Sequence, residues 1–375
     1  MSARADEAPR TDGASGVGET AGARGARGAV SVEDAVREVV HARRSLRVRT
    51  NAVTAALAAG VVVALCVALS YGDVVIPLPD LLATLGGGGN GGTRFVLFDL
   101  RLPRAVTGLL VGIAFGMSGA VFQTLLRNPL ASPDVIGISA GASSCAVLAT
   151  MVLGLSGFAL SLSALVGAVL AAVLIYALAW RRGVTGYRLV LVGIGVGALL
   201  SSLISYLMTN SEVTEAQTAL VWLAGSLNER TWSEVWPLLA ALVVLLPATL
   251  LTARTLRPLE LGDEAATGLG NRVQWSRLGL LGCAVALAGV ATAAAGPVAF
   301  VAFVSAPIAR RLMPGRGPAL VPAALTGALV VLVADFAAQH LLGPTQFPVG
   351  VITSVVGAPY LLWLLGRTNR VGRGG

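Results

Sequence analysis

The sequence predicts an all-α polytopic membrane protein of about ten spanning helices, and three observations predict it. Of 375 residues only 12% are charged while 55% are hydrophobic, where soluble domains carry about 25% charged residues. The mean hydropathy is +0.79. Apolar runs close to the roughly 20 residues that a helix needs to cross a bilayer recur along the chain. The alternating segments of about 10 residues that build a transmembrane barrel do not occur.

The elements follow in order. Residues 1–50 are rich in Gly, Ala, Arg and Glu and hold no long apolar run; such composition predicts a disordered or weakly helical extension. Within it SVEDAVREVVHA, residues 31–42, has the pattern of a short amphipathic helix with Ser31 or Asp34 near its start. The first apolar run starts near residue 52, too late and too long for a signal peptide. Ten apolar spans then occupy 52–71, 104–125, 135–154, 158–180, 188–208, 234–253, 277–295, 299–313, 319–341 and 349–366. The eighth is short: Gly296 and Pro297 precede it and Pro307 lies inside. The expected plan is an extension over 1–50, a ten-helix domain over 51–368 and a tail over 369–375.

Arginine placement orients the chain. All 27 basic residues are arginine. With the N-terminus in the cytoplasm, the inner connections and tail carry 14 of them, residues 1–50 carry nine, and only Arg94, Arg101, Arg104 and Arg230 fall outside. Cytoplasmic loops carry the excess of basic residues, so both termini are expected in the cytoplasm, with the chain in the inner membrane. The outer loop at 209–234 instead holds Glu212, Glu215, Glu229 and Glu234.

Composition also excludes chemistry. Without lysine the chain cannot form the phosphate-binding loop of nucleotide hydrolases or a lysine Schiff base. Cys66, Cys145 and Cys283 are far apart in sequence, as are His41 and His340. No zinc cluster, redox pair, metal site or cofactor is expected, and no catalytic constellation is visible.

Four stretches interrupt the apolar pattern. LLRNPLASPDVIG, residues 125–137, breaks helix continuation with Pro129 and Pro133, and Asn128 and Asp134 suit turns. It reads either as an ordinary tight turn or as a gate at the inner mouth of a pathway. The small residues after it, GISAGASS at 137–144, either let helices approach closely or line a polar path. DLRLPRAVTG, residues 99–108, sets Arg101 and Arg104 three apart on the outer face. They either snorkel to the interface or dock an acidic partner, since guanidinium forks pair with carboxylates. RPLELGDEAATGLGNRVQWSRL, residues 257–278, is the longest inner loop, with a short helical pattern from Glu260 or Asp263 to Gly268 or Gly270. It is either a surface loop or the grip of a soluble motor. TQFPVGVITSVVGAPYLLWLLGR, residues 345–367, opens a span at Pro348, with Gly350, Gly357 and Pro359 permitting close packing or a kink. One acid, Asp335, lies within the ninth span; such a charge faces the protein interior, marks a pathway or sits near the span's end, where its cost falls.

Together these stretches resemble the iron-siderophore permeases of ATP-driven importers, the family that includes the cobalamin import permease. RLPR at 101–104, SGAVFQTLLRNPLASPDVIGISAGAS at 118–143, LGDEAATGLG at 261–270 and PVGVITSVVGAPYLLWLL at 348–365 carry the resemblance, which covers about residues 50–368 in order. AGSLNERTW at 224–232 and RNPLASPDVIG look most like the ferric-enterobactin branch.

The resemblance implies the type II importer permease fold. It implies ten helices per subunit, a pathway between two identical or homologous permease subunits, and inverted halves at spans two to five and seven to ten. A cytoplasmic pair of ATP-binding subunits and an extracytoplasmic siderophore-binding protein are the implied partners beside lipid, with no nucleic acid. By position, Arg101 and Arg104 match the binding-protein docking residues. Glu260, Leu261, Gly262, Asp263, Ala265, Leu269 and Gly270 match the coupling helices that touch the ATPase. Asn128, Leu130, Thr185, Gly186 and Tyr187 match the inner gate.

Ser139, Ser143, Asp335 and Gln339 are the pathway candidates, because no metal ligands are at hand to hold a chelate. The substrate expected is a ferric siderophore of catecholate type, with heme or cobalamin as alternatives. A secondary transporter would need intramembrane ion sites, for which Asp335 is the one good acid. The chain departs from the family at Ser305-Ala306-Pro307-Ile308-Ala309-Arg310, where proline stands in the usual place of a histidine, and at Gln339, where the cobalamin branch has a third docking arginine. Residues 1–50 have no counterpart in the family.

Overall fold

The computed structural model describes residues 32–180, 186–260, 262–270, 272–313, 317–341 and 346–371. The chain divides into two units, Met1–Val48 and Arg49–Gly375. In the first, the described residues are helical; of the short amphipathic helix expected over 31–42, residues 32–42 belong to the 39-residue helix α1 (Val32–Ser70) and Ser31 lies outside the described residues.

The second unit is a bundle of helices. After α1 come α2 (Leu78–Leu85) and α3 (Gly91–Phe95). A wide π-helical turn over Val96–Arg101 then leads into α4 (Leu102–Leu125). Next are α5 (Ile138–Met151), α6 (Gly157–Ala179), α7 (Gly186–Thr209), α8 (Val213–Leu223) and α9 (Trp232–Thr252). The short α10 (Leu256–Glu260) and α11 (Asp263–Gly268) precede α12 (Val273–Ala295), α13 (Val301–Leu312), α14 (Leu320–His340) and α15 (Val349–Val371).

Each of the ten expected spans falls on a helix. Among the described residues, seven helical stretches are long and apolar enough to cross a membrane, from Arg44–Ser70 to Leu320–His340. Two of the other three, α5 and α13, are shorter, and in α15 the apolar stretch covers Val349–Leu364. The 14 residues of α5 and the 12 of α13 extend only about 20 Å at 1.5 Å per residue. The irregular backbone that flanks them is acceptable at membrane depth only where protein surrounds it, and Ala131, Ser132, Ile136 and Val298 are buried. Helices α2, α3 and α8 lie in stretches expected as loops; each is too short to stand out in a span-length reading.

Small residues bring α4 against its neighbours. A Cβ on Gly112 would stand 2.5 Å from the Gly327 carbonyl oxygen and the Ala328 Cα of α14, and one on Gly116 would overlap the Ala323 carbonyl. One on Gly119 would overlap the Ala302 carbonyl of α13. This is backbone-to-backbone packing of the kind small residues permit between membrane helices. Gly141 on α5 and Gly167 on α6 meet in the same way. The result is that 18 of the 24 residues of α4 are buried, and Ser118 donates 2.7 Å to the Ala284 carbonyl of α12.

Candidate functional site

Two clusters of polar side chains stand apart from the apolar packing. The first forms where the end of α1, the wide turn, the start of α4 and the end of α14 converge. Pro103 in the first turn of α4 needs no intrahelical donor there. The wide turn before it ends on Arg101; single π-helical turns frequently mark functional sites. Tyr71, Asp73, Arg101, Arg104, Asp335 and Gln339 line a cavity of about 330 Å³.

Within it the two arginines differ. Arg104 holds Asp335 through Nε, at 3.0 Å to Oδ2, and through a terminal nitrogen, at 2.8 Å to Oδ1. Its other terminal nitrogen donates 3.2 Å to Gln346 Oε1, and Gln339 donates 2.8 Å to Asp335 Oδ2. The acid of the ninth span is thus neutralised by a bidentate ion pair. Both side chains are nearly buried. Arg101 instead donates to main-chain oxygens, 2.8 Å to Leu69 and also to Val74, and stays half-exposed. The structure therefore joins Arg104 to two residues expected on a pathway, Asp335 and Gln339. Gln346, Tyr71 and His340, which stacks on Phe336 at 4.5 Å, belong to the same place and carry no sequence signal of their own.

The second cluster surrounds the turn after α4. Asn128 closes it, accepting from the Leu130 N–H at 2.9 Å, while its own N–H donates 3.1 Å to the Gln123 carbonyl. Leu130 packs on Phe303, Val304 and Leu364. Arg127, left-handed at φ 49°, donates to the Leu259 carbonyl of α10, tying the turn to the long polar loop at 257–278. There Leu256, Leu259 and Ala266 are buried anchors, while Glu264, Ala265 and Gly270 are exposed and Leu269 is 64% exposed. Gly262, at φ 115°, supplies the left-handed corner between α10 and α11.

The remaining expectations distribute as follows. Gly186 lies beside Leu126 and Tyr187 is 81% exposed; Thr185 and Leu261 lie outside the described residues, and of Glu260 and Asp263 only the helical backbone is described. Ser139 and Ser143 are buried within the subunit. Ser139 donates to Asp134, whose carboxyl burial pushes above the usual range, with the Ser139 hydrogen bond acting the other way. Sequence reading missed Gln123 and Arg310. Gln123 is buried and bridges α4 to α13: its Nε2 donates 2.9 Å to the Phe303 carbonyl, and Arg310 donates to its Oε1.

Long apolar helices closely packed through glycine, with a polar pocket where α1, α4 and α14 meet and an exposed α11 beyond the turn after α4, define a multi-pass membrane protein. The chain belongs to the FecCD transport family, whose model matches residues 60–367, and so is an ABC-transporter permease of iron-siderophore type. It is similar to the ferric enterobactin transport system permease protein FepG of Escherichia coli (strain K12), 42% identical over 80% of this chain and 92% of that one. It is also similar to the iron(3+)-hydroxamate import system permease protein FhuG of Bacillus subtilis (strain 168), 40% identical over 82% of this chain and 95% of that one. Among solved structures it shares its fold with a metal-chelate type ABC transporter in an inward-facing conformation. The TM-score is 0.73 and the identity 24%, over 84% of this chain and 99% of that one.

Proposed function

We propose that this chain is the permease through which an ATP-driven importer carries a ferric siderophore of catecholate type into the cytoplasm. The observation that carries the reading is the 42% identity to the enterobactin permease over 302 residues. The hydroxamate permease follows at 40%, so a hydroxamate chelate is the second reading. The chelate passes between this subunit and a second permease chain, the termini lie in the cytoplasm, and ATP is hydrolysed by separate subunits.

Each partner has a surface. The ATP-binding subunit grips α11, where the exposed Leu269 follows the buried anchor Ala266; the Arg127–Leu259 hydrogen bond carries its movement to the turn that holds Asn128 and Leu130. The extracytoplasmic binding protein docks through carboxylates at Arg101. Arg101 is only partly buried and its guanidinium is bonded to neutral carbonyls, so a carboxylate offers it a stronger, charge-assisted partner.

The test is uptake of radiolabelled ferric catecholate and ferric hydroxamate by cells with and without this chain. Loss of catecholate uptake alone is the expected result; loss of hydroxamate uptake alone overturns the substrate class. In the same assay Arg101→Glu should lower uptake about tenfold at equal membrane amounts, by repelling the carboxylates of the binding protein. Leu269→Asp should leave the protein in the membrane yet separate ATP hydrolysis from uptake, since the exposed side chain contributes little to folding. Coupled transport at the original rate in that variant would remove α11 from the motor contact.

A further inference from the structure

We infer that the buried Gln123 and the partly buried Arg310 form a polar bridge that replaces the hydrogen bond lost at Pro307 and positions the turn bearing Asn128 and Leu130. Proline has no N–H, so within a helix it leaves the carbonyl four residues earlier without its donor. Pro307 lies inside α13, and the carbonyl it leaves is that of Phe303. That oxygen receives the Gln123 side chain of α4 at 2.9 Å. A buried carbonyl without a partner costs about 1–3 kcal/mol, so the glutamine is matched to the proline.

The rest of the amide is used as well. Arg310, one turn after the proline, donates to Gln123 Oε1, which fixes the amide's orientation: oxygen toward the guanidinium, nitrogen toward the carbonyl. Gly119, one turn earlier on the same face of α4, admits the backbone of α13 at Ala302, and this close approach brings Gln123 within reach. On its main-chain side the Gln123 carbonyl accepts the Asn128 N–H at 3.1 Å. The same residue therefore clamps α13 with its side chain and closes the turn with its backbone, while Leu130 packs against the cluster formed by Phe303, Val304 and Leu364. Gln123 is a positioning residue for that turn. Only this last step rests on the reading of the turn as the inner gate of an importer.

The test is a double-substitution cycle on the full chain: Gln123→Met, Pro307→Ala and both together. Thermal unfolding in detergent is followed by tryptophan fluorescence, and uptake of radiolabelled ferric catecholate is resolved into Vmax and KM. Gln123→Met alone should lower Tm by about 4 °C and Vmax about threefold, with KM unchanged. In the Pro307→Ala background, where an alanine N–H serves the Phe303 carbonyl, the same change should cost less than half as much in both. If Gln123→Met alone does not accumulate, its recovery by Pro307→Ala is the supporting result.

Strictly additive Tm changes overturn the bridge. Coupled Tm changes with Vmax untouched overturn the positioning role. The unfolding cycle needs no substrate, so a chain that imports no ferric chelate would defeat the transport reading while the cycle still decides the bridge.

Discussion

Replacing Gly119 by leucine is expected to leave almost no folded permease in the membrane. The Cβ alone would stand 2.6 Å from the Ala302 carbonyl carbon and 2.9 Å from its Cα. Those are backbone atoms, and α13 cannot retreat without surrendering the Gln123 hydrogen bond to Phe303. Inserting extra carbons into a filled core costs about 1–3 kcal/mol; a contact with backbone belongs at or above the top of that range. Gly195 and Gly282 supply the contrast, because nothing lies within 4 Å of a Cβ built on either. Alanine there should be neutral, or stabilising by about 0.5–1 kcal/mol through helix propensity. Membrane abundance and Tm of the three variants check the pattern; equal loss at all three would mean that glycine is needed for something other than helix approach.

The second large effect is expected at Asp335. Removing one member of a buried ion pair leaves the other charge uncompensated, at about 3–5 kcal/mol. Asp335→Ala would strand the nearly buried Arg104 guanidinium and free the Gln339 amide, so we expect a Tm fall of about 10 °C. The double substitution Arg104→Gln with Asp335→Asn leaves no buried charge and should recover at least half of that loss. Recovery would identify the pair as a neutralising device; its absence would mean that each residue acts separately. A charge reversal at Arg104 would set two carboxylates against each other. Docking is therefore tested at Arg101 alone.

Hydropathy located the ten apolar helices α1, α4 to α7, α9 and α12 to α15, though not the short α2, α3 and α8, because lipid demands long apolar stretches, and that demand is written residue by residue. It marked the eighth span, 299–313, as short, and α13 is 12 residues long; a helix surrounded by protein is released from the bilayer's length rule. The arginine pair was visible from its placement on a side otherwise poor in basic residues. Its partner was not: Arg104 and Asp335 are 231 positions apart, and no local pattern links them. Pro307 was legible as a departure, but its complement, Gln123, reads as one amide in an apolar run. The stretch at 257–278 was legible as a polar loop with a short helix, and the structure holds α10 and α11 there around the left-handed Gly262. The burial of Ser139 and Ser143 was not legible, because small polar residues look the same whether they line a path or fill a core.

The burial of α4 has a wider consequence. In its most apolar stretch 83% of the residues are enclosed by the rest of the chain, against 17% in that of α7. The surroundings of α4 are other helices rather than lipid, so bilayer thickness and lipid type exert no direct force on it. Its tolerance of Thr107, Ser118 and Gln123 is set by the acceptors around them. A change of volume in α4 therefore has to be accommodated by α12, α13 and α14, which pack against it. In amide hydrogen exchange the same asymmetry should appear as a clock: α4 is the last helix to take up deuterium, and the delay measures how much of the bundle must open before its axis is reached.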